Sequence, residues 1–123
     1  MLLAGIDLVE IHRIQKSMEN PRFCSTVLGS TEYAQLASRG FPIQSVAASF
    51  CAKEAFAKAV GTGVRGFSLS EVELLREDNG KPNLYLSGNA LKIAQKHGLT
   101  FTVSVTHTRE YAAAVVVGQE EAE

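Results

Sequence analysis

The chain reads as a single α+β domain, with helices gathered in its first half and paired strands in its second. Three observations predict this. An almost wholly apolar stretch from Ser45 to Val60 carries a helical period; the last third alternates apolar and polar residues in two runs parted by Thr108-Arg109-Glu110; and Asp78-Asn79-Gly80-Lys81-Pro82 is turn chemistry between two extended segments. At 123 residues the chain can build one sizeable core but not two. Its 46% hydrophobic and 20% charged residues match soluble globular proteins, which argues against disorder and against a membrane protein.

Leu2 to Val9 is short and apolar around Asp7, as in a buried strand, and Glu10 to Glu19 follows a helical period with Ile11, Ile14 and Met18 on one side. Asn20-Pro21 stops that helix. Phe23 to Leu28 fits a short helix, and Ser30-Thr31-Glu32 opens another that runs to Ser38 with Gly40 beyond its end. Pro42 suits the start of the long central helix and Gly61-Thr62-Gly63 its end, since glycine takes the left-handed C-cap conformation without penalty. Leu69 to Arg76 and Asn83 to Leu86 are expected to pair as a hairpin across the Asp78–Pro82 turn. Ser87 to His97 reads as a helix closed by Gly98, and Phe101 to His107 with Tyr111 to Val117 as a second hairpin. The expected domain covers residues 1–118, and 119–123 form an acidic, solvated tail. There is no internal repeat, low-complexity segment or linker.

Charge narrows the partners. A net charge of −1 and a pI near 6.3 give no global basic field for nucleic acid and no lysine-rich face for anionic lipid. Met1 to Ile6 lacks the basic start of an export signal and Asp7 interrupts its apolar run, so a cytoplasmic protein is expected. Cys24 and Cys51 form no metal-ligand or redox motif; reduced thiols are expected, with Cys51 in the core.

The candidate chemistry centres on the long helix. The 100° step places Ala47, Phe50, Cys51, Glu54 and Lys58 on one face, and Ala48, Ala52, Phe56 and Ala59 on the opposite one. A Glu followed four residues later by Lys is the favoured helix pair, worth roughly 0.2–0.5 kcal/mol, and alone that reading suffices. Asp7, in an apolar strand, needs a partner: backbone amides or a cation in a structural role, or a functional role. Were the two carboxylates and the ammonium to meet, they would suit a magnesium and phosphate site, because Mg²⁺ takes one or two protein carboxylates plus phosphate oxygens. His107 shares the apolar parity of Phe101, Val103 and Val105 and reads as a hydrogen-bonded edge histidine, with Ser104 and Thr106 on the other parity. Gly61-Thr62-Gly63 follows a helix and lacks a Gly-Lys-Ser/Thr ending, so it is no P-loop. Arg13, Lys16 and Arg22 make a modest basic patch that reads as a solvated face unless an acidic partner exists.

Four segments then carry a resemblance: Gly5-Ile6-Asp7-Leu8-Val9-Glu10-Ile11-His12-Arg13-Ile14; Phe50 to Ala59 with Gly61-Thr62-Gly63; Gly80-Lys81-Pro82; and Ser104-Val105-Thr106-His107. In order and spacing, over essentially the whole chain, they resemble the holo-acyl carrier protein synthase family of 4'-phosphopantetheinyl transferases. The resemblance implies that family's fold, an antiparallel sheet with a long central helix and several short ones in a single-copy subunit. It implies transfer of 4'-phosphopantetheine from coenzyme A to a serine of an apo-acyl carrier protein, in fatty acid biosynthesis or in polyketide synthesis, releasing adenosine 3',5'-bisphosphate. By position, Asp7 and Glu54 would hold Mg²⁺, with Mn²⁺ the alternative, and Lys58 would add a second cation. Glu54 would also orient a metal-bound water that takes the serine proton. Lys58, Gly61, Lys81, Pro82, Ser104, Thr106 and His107 would contact coenzyme A. Arg13 would dock the acidic carrier, assisted by Lys16 and Arg22, and the chain would form a homotrimer with sites between subunits.

The chain departs from the family at one place: Ser49-Phe50 stands where the family usually has Arg-Phe, which puts a phosphate or subunit contact in question. Two rival readings are a non-catalytic coenzyme A or carrier-binding member of the same fold, and an unrelated α+β interaction domain in which Glu54-Lys58 is a surface pair.

Overall fold

In the computed structural model, which describes residues 1–61 and 65–121, the chain runs β1 (Leu2–Glu10), α1 (Ile11–Ser17), α2 (Phe23–Val27), α3 (Ser30–Ala37) and α4 (Ile43–Val60). A 3₁₀ turn (Leu69–Glu71), β2 (Val72–Arg76), β3 (Pro82–Leu86), α5 (Gly88–Lys96), β4 (Leu99–His107) and β5 (Tyr111–Glu120) follow. The α+β expectation holds, in two antiparallel sheets. One has the order β1-β5-β4, pairing Asp7 with Ala114 and Ala114 with Val105; the other is the β2-β3 hairpin. No helix among the described residues is long and apolar enough to cross a membrane.

α4 crosses the inner face of the three-stranded sheet and also packs on β2 and α1. It is buried nearly all round because its side chains are small: Ala47, Ala48, Ala52, Ala55, Ala57 and Ala59 let neighbouring backbones approach. Phe56 fills the centre, edge-on to Phe67 at 5.4 Å and tilted against Phe101 at 4.9 Å. Gly61, at φ +79°, ends the helix and donates its N–H to the carbonyls of Ala57 and Lys58. Thr62 and Gly63, expected to share that role, lie outside the described residues.

Strand β1 and helix α4 pack backbone against backbone. A β-carbon on Gly5 would lie 2.6 Å from the Ala59 nitrogen and closer still to the Ala55 carbonyl oxygen, both backbone atoms that cannot swing away. Gly5→Ala is therefore expected to cost about 1–3 kcal/mol by overpacking, read as a lower urea midpoint at unchanged m-value. An unshifted midpoint would mean that strand and helix stand further apart.

One expected element is corrected. Leu69 to Arg76 is not all strand: the Glu71 side chain accepts the Ser68 N–H at 2.9 Å and the Asn89 N–H at 3.0 Å, curling residues 69–71 into the 3₁₀ turn before β2. A local side-chain acceptor outcompetes the ladder there. At the other end β5 runs through Gln119 and Glu120, which pair with Leu2 and Leu99 although their side chains are exposed.

Candidate active site

The contact at Gly5 determines where Asp7 falls. Two residues on and on the same inward parity, Asp7 meets the exposed stripe of α4, where its Oδ1 lies 3.2 Å from Lys58 Nζ. Glu54, one turn before Lys58, is half-buried on the same side and lines a cavity of about 280 Å³ together with Asp7, Arg13, Ser17, Phe23 and Phe50. The structure thus joins Asp7, Glu54, Lys58 and Arg13, residues brought from a strand and two helices.

Burial, followed by the charge of Asp7, pushes the Glu54 carboxyl above its ordinary pKa, and Lys58 partly opposes this. Two carboxylates therefore face one cavity, with the Lys58 ammonium against Asp7 and the Arg13 guanidinium on the same wall. The paired carboxylate oxygens, rather than any net negative charge, are what suits a divalent cation, which prefers one or two carboxylates completed by water and phosphate oxygens. Among the described residues no group of three or more His, Cys, Asp or Glu could hold a metal, so the protein would supply two ligands rather than a cage. Cys51 is close by but inert: desolvation first, then the charge of Asp7, raises its thiol to about 12, and it donates to the Ala112 carbonyl at 3.4 Å.

The remaining expected contacts lie elsewhere in the same chain. Lys81 and Pro82 sit at the β2-β3 turn, where the Lys81 N–H donates to Asn79 Oδ1 at 2.9 Å and its carbonyl accepts from Glu77. Ser104 and Thr106 point from the edge strand β4 to the outer sheet face, beside Ile6 and Val115. His107 keeps the inward parity but is exposed at the strand end. Lys16 and Arg22 are exposed near Arg13 in sequence and do not line the Asp7–Glu54 cavity. Ser49 is buried on α4, one turn before Lys53.

Comparison with known proteins settles the kinship. The profile of the 4'-phosphopantetheinyl transferase superfamily matches residues 4–116. The chain belongs to that superfamily. It is 42% identical over 118 residues to the holo-[acyl-carrier-protein] synthase of Chloroherpeton thalassium, covering 92% of this chain and 93% of that protein. The crystal structure of the Neisseria meningitidis holo-[acyl-carrier-protein] synthase superposes with a TM-score of 0.89 at 30% identity, covering 96% of this chain and 98% of that one. The Bacillus anthracis synthase, solved in complex with CoA (3',5'-ADP), gives 0.79 at 31% identity over 97% of this chain and 96% of that one. The phosphopantetheinyl transferase fold expected from the four segments is thereby established.

Sequence reasoning missed one charged cluster in this transferase. Lys53 and Glu32 are fully buried, with Lys53 Nζ 2.6 Å from Glu32 Oε1 and also bonded to the Val72 carbonyl. Burial lowers the Lys53 pKa, opposed by the charges of Glu32 and then Glu73. The available signal was positional: helical spacing groups Lys53 with Ser49, Phe56 and Ala57, a face with no other charge.

Proposed function

We propose that the chain is a holo-[acyl-carrier-protein] synthase that moves 4'-phosphopantetheine from coenzyme A to a carrier-protein serine. The observation that carries this is the convergence of Asp7, Glu54 and Lys58 beside the Arg13-rimmed cavity, in a member of this superfamily. In the reaction the serine oxygen bonds to the β-phosphorus of coenzyme A as the bond from that phosphorus to the diphosphate bridging oxygen breaks. Adenosine 3',5'-bisphosphate leaves with the bridging oxygen, and the serine proton passes to solvent or to Glu54. Asp7 and Glu54 would hold Mg²⁺ or Mn²⁺, which when bound supplies positive charge against the diphosphate oxygens. Lys58 adds a cation one helical turn away, and Glu54, raised by burial, is a proton acceptor beside the diphosphate.

A cavity of about 280 Å³ is small for a ligand the size of coenzyme A, since sites for drug-sized ligands span roughly 300–1,000 Å³. A neighbouring subunit would complete it. The outer face of the three-stranded sheet supports a homotrimer: Ile6 and Leu8 are 66% and 64% exposed there, beside Val115, and Ser104 and Thr106 lie on that same face. Ile6→Glu is expected to reduce the assembly to monomers in light scattering and to abolish transfer; a trimeric variant would place the interface elsewhere.

The carrier would approach over Arg13, with Lys16 and Arg22 steering its acidic surface and Phe23 and Phe50 offering an apolar floor. Arg13→Glu is expected to raise KM for the apo-carrier roughly tenfold or more while coenzyme A affinity stays within about twofold. Equal loss of both would remove Arg13 from docking. The reaction itself is tested by the intact mass of an apo-acyl carrier protein after incubation with this protein, coenzyme A and Mg²⁺, against an EDTA control. A metal-dependent gain of one phosphopantetheine is expected; no gain from folded protein with several carriers would leave a non-catalytic binding member. The setting proposed is cytoplasmic fatty acid biosynthesis.

A further inference from the structure

We propose that the buried Glu32–Lys53–Glu73 cluster is a positioning device for Glu54, fixing the rotation of α4 about its axis. This rests on the reading of Glu54 as a metal-holding carboxylate.

The cluster ties three elements together through fully buried charge. Lys53, on α4, reaches Glu32 in the first turn of α3 and the carbonyl of Val72 on β2. Glu32 Oε1 also accepts the Gly29 N–H at 3.1 Å, and Oε2 accepts the Leu74 N–H at 2.9 Å. Glu73 Oε1 accepts the Glu32 N–H at 2.9 Å, doing for α3 what an N-cap side chain would, over a Gly29 that leaves it room. No buried side-chain nitrogen or oxygen among the described residues lacks a partner.

Stability alone is a poor reason for such a cluster, because well-packed apolar residues of similar volume often do as well or better than a buried ion pair. What charge adds is direction. Six of the eighteen residues of α4 are alanine, which hold its rotation weakly, and the Phe56 ring packs on Phe67 and Phe101 by non-directional contact; Lys53 is the side chain whose tip is tied by directed bonds on two sides. Glu54 follows it directly, so a helix held at Lys53 also aims Glu54 at Asp7. A rotation of ~10° would sweep a carboxylate ~6 Å from the axis through ~1 Å, and a 1 Å misplacement can cost roughly 10²-fold in rate.

Two variants test this at a temperature where circular dichroism shows both folded: Glu32→Asp, which keeps the charge but shortens the arm by one methylene, and the uncharged double variant Glu32→Gln/Lys53→Met. The readouts are Mn²⁺ affinity in the presence of coenzyme A, followed by electron paramagnetic resonance, together with kcat, KM for the apo-carrier and the thermal midpoint. Both variants are expected to bind Mn²⁺ at least about fivefold more weakly and to lose kcat at least about tenfold, with KM within about twofold. A lowered midpoint with wild-type Mn²⁺ affinity and kcat would overturn the proposal and leave the cluster a structural tie. If the double variant does not fold, Glu32→Asp decides on the same readouts. Wild type and Glu54→Gln run alongside: equal Mn²⁺ affinity in those two would overturn the metal reading itself, an outcome distinct from failure of the positioning claim alone.

Discussion

Glu54→Gln should abolish metal-dependent transfer, by roughly 10²–10³-fold or more in kcat, while the protein melts at or above the wild-type temperature. The two halves have one cause. Glu54 is half-buried beside Asp7, so its ionised form is disfavoured by desolvation and by like charge, and only the second is partly offset by Lys58. A carboxylate whose folded pKa is raised subtracts from stability once it ionises, so at neutral pH the neutral amide relieves the fold of that cost. The amide also removes half of the charge that attracts a divalent cation, and it is a poorer proton acceptor. Lys58 keeps its contact with Asp7, so the variant leaves no new charge without a counterion. Steady-state transfer assays and a thermal melt in EDTA check both halves. A variant that keeps more than about a tenth of wild-type kcat would remove Glu54 from the chemistry, and one that melts well below wild type would show that Glu54 is instead a structural partner of the helix.

The limits of sequence reading are visible on α4 itself. Glu54 and Lys58 share a face by helical spacing alone, and the start and end of the helix follow from Pro42 and Gly61, because both signals are local. That Asp7 arrives beside them depends on Gly5 lying against Ala55 and Ala59, a tertiary contact without a local mark, so the residues separately support a surface pair and only family likeness joins them. Ser104, Thr106 and His107 occupy the expected strand with the expected parity, yet they do not line the Asp7–Glu54 cavity, and the proposed sharing of the site between copies is not a property that one chain's periodicity could reveal. Glu71 shows the opposite failure: Leu69-Ser70-Glu71 alternates as a strand should, but its carboxylate bonds the N–H groups of Ser68 and Asn89, the second of them 18 residues away. Lys53 is the costliest omission, since its partner Glu32 is 21 residues distant and no pattern pairs them.

Lys53→Met alone should destabilise the protein by about 3–5 kcal/mol, a large part of the roughly 5–15 kcal/mol that holds a domain together. Methionine matches the unbranched stem of lysine and replaces none of the ammonium's work. Glu32 retains the amide donors of Gly29 and Leu74 but loses its ion-pair partner Lys53, the Val72 carbonyl loses a donor, and Glu73 stands nearby with its own charge. The loss therefore exceeds the net worth of the pair, because what is paid is the burial of a carboxylate without a cation. Adding Glu32→Gln should recover part of the lost stability by removing the orphaned charge, though one amide donor then faces the wrong end of the glutamine side chain. Urea titrations of the three proteins measure this. A deficit below about 1 kcal/mol would mean that water reaches Glu32, and that the three elements are held by packing rather than by this lysine.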